Sequence, residues 1–196
     1  PCGSGKTYEQ CCAQRDKAPA APDISKSLRS ALEHHQALQS ALEHHRTGRL
    51  PQAKAVCQQL LQAKPDHHKA LHLLGLIANQ EGENDSAVEL MNRAIQASPS
   101  NPGYYYNLGC VYNALNKPDD AIACYQKALT IKPGDAMVLN NLGIAFKDQG
   151  KLDEAIACYQ KALTIKPDNA ETYNNLGAAL TEQGKSYEAI ACYQKA

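Results

Sequence analysis

Tryptophan is absent from this sequence and phenylalanine occurs once, so a large core centred on aromatic side chains is not expected. Net charge is missing too: 20 Lys+Arg stand against 20 Asp+Glu, with histidine counted neutral. Nucleic acid and anionic membrane surfaces both call for a basic excess, so neither is expected as the main partner. No apolar run nears the ~20 residues a membrane span needs, and the longest, Ala70 to Ala78, is interrupted by His72. Pro1 carries neither an initiator methionine nor a signal-peptide pattern, and the chain is expected to be a piece of something longer. Its 196 residues suit one ordinary domain or one short array of small repeats.

What the sequence does contain is itself, several times over. Residues 121–133 read AIACYQKALTIKP, residues 155–167 read the same, and residues 189–196 begin it again. The offset is 34 residues each time. A fixed period decides the fold class before any other signal. Extended backward, the period needs no insertion. Leu-Gly recurs at Leu74-Gly75, Leu108-Gly109, Leu142-Gly143 and Leu176-Gly177. Ala53, Ala87, Ala121, Ala155 and Ala189 share one register, and Pro65, Pro99, Pro133 and Pro167 close the units. The units are 34–67, 68–101, 102–135, 136–169 and an incomplete 170–196, the first degenerate, with Ser40-Ala41 where Leu-Gly should stand.

Each unit reads as two helices. Tyr105, Leu108, Gly109 and Tyr112 fall on one helical face, and Ala121, Cys124, Tyr125, Ala128 and Leu129 on another. Pro118, Asp119 and Asp120 mark the second helix's start, where proline and acids are favoured. Lys132-Pro133 ends it, because the residue before proline is pushed out of the helical region. A lone pair this short cannot bury its apolar face. Stacked neighbours can, which gives a solenoid.

From about residue 41 onward the pattern resembles the tetratricopeptide repeat family in its length and in its aromatic/Leu-Gly/aromatic, Ala, aromatic, Ala, Pro order. The resemblance implies an all-α, right-handed superhelix of antiparallel helix pairs, with a concave groove lined by the first helices and used to bind protein or extended peptide.

The face of the first helices opposite the core should line that groove. It carries Tyr106, Asn107, Cys110 and Asn113, then Asn140, Asn141, Ile144 and Lys147, then Asn174 and Asn175. Asn107, Asn141 and Asn175 precede Leu-Gly at one register, so stacking should set them in a row. An amide both donates and accepts, and a ladder of amides would hold a peptide backbone with little sequence demand. Asparagines copied by duplication onto a solvated face are the competing reading. Lys69 and Lys147 are too few for a carboxylate-gripping clamp.

The array, including LHLLGLIANQEGENDSAVELMNRAI (residues 71–95), looks like the repeat region of O-linked N-acetylglucosamine transferases and their bacterial relatives. That likeness implies an alternative role: the substrate-presenting arm of a bacterial glycosyltransferase or sulfotransferase whose catalytic domain lies beyond Ala196. This chain itself offers no catalytic constellation and is read as a non-enzyme.

The amino terminus differs in kind. Residues 1–12 read PCGSGKTYEQCC. Gly5-Lys6-Thr7 echoes the end of a phosphate-binding loop, but no strand leads into it. The stretch better resembles a truncated SEC-C-type zinc motif, which implies Cys2, Cys11 and Cys12 as ligands, the fourth lying outside the chain. Thiolates suit zinc, and a closed structural site takes four ligands. Residues 13–27, rich in Ala and Pro, read as a flexible linker. SALEHH at 30–35 and again at 40–45 keeps helical spacing, so residues 28–67 are expected to hold a long or broken capping helix and the degenerate first repeat.

His68 and His72 form an i, i+4 pair, read as surface histidines rather than a metal site. Cys124, Cys158 and Cys192 fall on the core face of the second helices, and free buried thiols point to a reducing, cytoplasmic compartment. The last unit stops inside its second helix, which leads us to expect concentration-dependent self-association through the uncapped C-terminal repeat.

Overall fold

A computed structural model describes residues 24–196, with side chains from residue 31 onward. The described residues form ten α-helices and no strand. In chain order they are α1 (Ile24–Arg46), α2 (Leu50–Ala63), α3 (His68–Gln80), α4 (Asn84–Ala97) and α5 (Pro102–Ala114), then α6 (Pro118–Ile131), α7 (Ala136–Asp148), α8 (Leu152–Ile165), α9 (Ala170–Glu182) and α10 (Ser186–Tyr193). The repeated SALEHH segments lie on the single helix α1. That helix begins at Ile24, inside the stretch read as linker, so the last residues of the expected tether are helical.

Local chemistry recurs with the period. The residue before each first helix accepts a hydrogen bond from the helix's free N–H groups: Asn101 from Gly103, Asp135 from Met137 and Val138, Asn169 from Thr172. At the same register His67 does this with a ring nitrogen, its Nδ1 accepting from the Ala70 N–H. The turn inside each hairpin needs one left-handed residue. Gly48, Gly82, Gly150 and Gly184 supply it without steric cost, and Asn116 supplies it at φ 55°.

Each second helix meets only the first helix of its own hairpin and of the next; first helices also touch one another across units, α3 with α5, α5 with α7 and α7 with α9. The fold is therefore an all-α, right-handed superhelical solenoid, in which the first helices form a common wall.

The seams of the hairpins α5–α6 and α7–α8 show where aromatic side chains enter the core. Tyr125 and Tyr159 are the largest fully buried side chains, 1% and 0% exposed. The reason is the glycine opposite. A Cβ on Gly109 would lie 2.6 Å from Tyr125 Cε1, and one on Gly143 would lie 2.5 Å from Tyr159 Cε1. Glycine leaves a slot of ring thickness, and the phenol ring fills it. Composition undercounts aromatics here because tyrosine, present ten times, does the work of phenylalanine.

Candidate functional site

The wall of first helices carries the asparagines at one register. Asn107, Asn141 and Asn175 are all half-buried, on α5, α7 and α9. Each uses its amide nitrogen to clasp the unit before it. Asn107 Nδ2 lies 2.8 Å from His72 Nε2, Asn141 Nδ2 donates to the Tyr106 hydroxyl at 3.1 Å, and Asn175 Nδ2 donates to Asn140 Oδ1 at 3.1 Å. The three acceptors, His72, Tyr106 and Asn140, are themselves one period apart. The row is thus a set of inter-repeat clasps. Among the described residues, no hydrogen bond within the protein engages the Oδ1 of Asn107, Asn141 or Asn175.

The surroundings differ along the row. With Asn107 donating, His72 Nε2 is the bare nitrogen. Burial, and then neighbouring His68, push the His72 pKa down to about 4, so the ring is neutral near pH 7. Its ring lies with its centroid 4.4 Å from that of Tyr104, tilted by 32°, and the Tyr104 hydroxyl is 2.6 Å from His68 Nδ1. Tyr104 is buried, and the pair read as surface histidines is instead built into the seam between two units. One unit on, Cys110 Sγ accepts from both the Tyr125 hydroxyl at 3.6 Å and Asn141 Nδ2 at 3.7 Å. Burial, then the Cys110 thiol, raise the Tyr106 phenol to about 12.

The other groove residues fall out as follows. Tyr106, Asn140 and Asn141 share a cleft of about 460 Å³ with Met137, Lys166, Asn169 and Glu171. Asn140 is 4% exposed, so it forms the cleft's floor rather than an open lining, because its carbonyl is turned to Asn175. Cys110, Asn113 and Ile144 are half-buried, and Ile144 packs against the core of the following unit. Asn174 is exposed. Lys147 Nζ sits 3.6 Å from Glu182 and 3.9 Å from Asp148, an ion-paired cation. Sequence reasoning missed Met137, a large apolar side chain 55% exposed at the cleft's edge. Its register, shared with Glu171, carried no repeated residue to mark it.

Cys2, Cys11 and Cys12 lie outside the described residues. Among the described residues no group of three or more His, Cys, Asp or Glu side chains is placed to hold a metal. None of the described helices is long and apolar enough to cross a membrane.

Comparison with known proteins agrees with the repeat geometry. Models of the tetratricopeptide repeat match residues 38–102, 103–135 and 124–157, and a further TPR repeat model matches 145–184. A SEC-C motif model matches residues 1–14. No curated protein sequence matches the chain. Among solved structures, a crystal structure of MamA superposes with a TM-score of 0.74 at 24% identity, covering 79% of this chain and 91% of that one. MamA 41-end from Desulfovibrio magneticus RS-1 gives a TM-score of 0.76 at 18% identity, covering 83% and 92%. At these identities the likeness is one of fold. Nothing in these matches points to a transferase. Residues 38–184 are tetratricopeptide repeats, and the array is a protein-interaction scaffold.

Proposed function

We propose that the scaffold binds an extended polypeptide along the row Asn107, Asn141 and Asn175, and that this array docks rather than catalyses. The observation that carries the reading is the clasp. Each amide is fixed by its Nδ2 contact to the preceding unit, while its Oδ1 makes no hydrogen bond inside the protein. A row of pre-positioned acceptors one period apart suits the N–H groups of an extended chain, and side chains already fixed lose little freedom on binding. The exposed Met137 edge would take an apolar side chain of the guest, and the cleft beside Asn141, lined also by Lys166, Asn169 and Glu171, a polar one.

Two further readings rest on composition alone. Thiolates at Cys2, Cys11 and Cys12 are the donor type zinc prefers, and elemental analysis with a Cys11→Ser/Cys12→Ser control tests whether metal is held there. Among the described residues the thiols of Cys57, Cys110, Cys124, Cys158 and Cys192 are free, which fits a reducing compartment such as the cytoplasm.

The test of the groove is a peptide-array screen of the wild type against Asn107→Ala/Asn141→Ala/Asn175→Ala. Thermal melts run alongside, because the same changes remove the clasps. Loss of peptide capture by a triple variant that stays folded is the expected result. Unchanged capture removes the row from the binding surface.

A further inference from the structure

A second periodic feature lies away from the asparagine row. Beside Leu139 is a recess of about 420 Å³, its walls including Pro133, Lys161, Thr164 and Ile165. Another, of about 350 Å³, is bounded by Pro65, Leu71, Arg93, Gln96 and Ala97. Each of these five residues stands 68 positions, two full units, before its counterpart at the first recess. In the alternate units the place of Leu71 and Leu139 is held by Tyr105 and Tyr173. The Tyr173 ring extends beneath Lys195, whose Nζ lies 5.7 Å from its centroid. Lys195 is the counterpart of Lys161. At Tyr173, then, a lysine sits over the ring. Where the chain supplies a leucine, the lysine or arginine remains and a recess opens.

We infer that the recess at Leu139 is a socket for an aromatic side chain presented by a partner protein, its ring seated on Leu139 and Pro133 beneath the Lys161 ammonium. The floor is apolar, and the rim is cationic, complementary to the negative face of an aromatic ring. Lys161 is exposed and makes no ion pair among the described residues. At the earlier recess the cation is engaged instead: Arg93 Nη2 donates to the Pro65 carbonyl at 3.4 Å. The recess at Leu139 is therefore the one whose cation is left for a guest. None of its walls belongs to the asparagine row, so the socket stands or falls independently of the groove.

The probe is p-cresol, the tyrosine side chain itself, titrated into isotopically labelled protein and followed by amide chemical shifts. Saturable shifts confined to residues around Leu139, Lys161 and Ile165 are expected. Leu139→Tyr puts at this register the residue that Tyr105 and Tyr173 supply in the alternate units, and should weaken this binding at least tenfold, whereas Leu71→Tyr should leave it unchanged. Lys161→Ala, an exposed change that spares the core, should weaken it two- to fivefold. The saturated analogue 4-methylcyclohexanol should bind less tightly than p-cresol. Absence of saturable shifts at these amides overturns the socket, as does binding that survives Leu139→Tyr in a folded variant. Equal binding of the saturated analogue overturns the aromatic assignment. Concentration-dependent dimerisation abolished by Leu139→Tyr would make a second copy of this chain the occupant and overturn a separate partner.

Discussion

The first hairpin, α1 with α2, and the hairpins α5–α6 and α7–α8, whose second helices are near-identical, close the same seam in opposite ways. In the later pair a glycine faces a tyrosine ring, Gly109 with Tyr125 and Gly143 with Tyr159, and a single added Cβ would collide with the ring. In the first hairpin the same two registers hold Ala41 and Cys57, both 0% exposed and members of one core cluster. Here the methyl is present and the ring is absent. The unit that looks degenerate is not a damaged copy: a larger residue on one helix accompanies a smaller one on the other. The two registers therefore vary together, with the Ala–Cys pair the smaller of the two solutions. The burial that seats Cys57 also raises its thiol to about 11, so it behaves as a small apolar filler.

Changes at this seam break the comparison most directly. Tyr159→Ala should cost about 3–5 kcal/mol by emptying the slot, whereas Cys57→Ala should cost only about 1 kcal/mol, both read from urea midpoints. Similar losses at the two sites would end the idea of alternative seams. Gly143→Ala should cost about 1–3 kcal/mol through overpacking against the ring. Adding Tyr159→Cys to it rebuilds the first hairpin's pair, so the double variant should be more stable than the two single losses predict; strict additivity in the cycle would refute coupling.

The histidine end of the array sharpens the contrast next. His72 is held near pKa 4 in the fold against 6.5 for a free histidine. As pH falls below 6.5, the unfolded chain takes up the proton first, so stability drops through the window from about 6.5 to 4. By pH 5 the loss should be about 2 kcal/mol. Burial lowers His67 and His68 as well, which acts in the same direction. At the register of His72 the next units carry Tyr106 and Asn140, which do not titrate in this range. His72→Gln should flatten much of the pH dependence of the urea midpoint; an unaltered slope would mean another group carries it. The smallest expected effect is at the ring tip. The Tyr159 hydroxyl is buried with no hydrogen-bond partner, while the Tyr125 hydroxyl bonds Cys110. Tyr159→Phe should be neutral or slightly stabilising, and Tyr125→Phe should cost up to about 1 kcal/mol.

Helix number, pairing and turn placement were legible because the 34-residue period repeats without slippage, and Gly, Pro and the capping Asn or Asp recur in fixed register. The row of Asn107, Asn141 and Asn175 was legible for the same reason. What those amides touch was not. Their partners His72, Tyr106 and Asn140 share a register but not a chemistry, and a self-comparison that looks for sameness passes over them. The Tyr104–His72 ring contact was hidden likewise, since polar-looking histidines at helical spacing read as solvent-facing until a ring from the next unit covers them. Helical spacing placed Tyr125 on a packing face, whereas the fit of its ring against Gly109 is a matter of distances that spacing does not carry.

Because every second helix rests solely on its own hairpin and the one that follows, no element of this array acts as a keystone. Excising residues 136–169 would set α6 against α9, and α6 is nearly the same sequence as α8, which already packs on α9. Reach is accordingly a quantity the lineage can lengthen or shorten by whole steps, while the spacing of the contacts it offers stays constant.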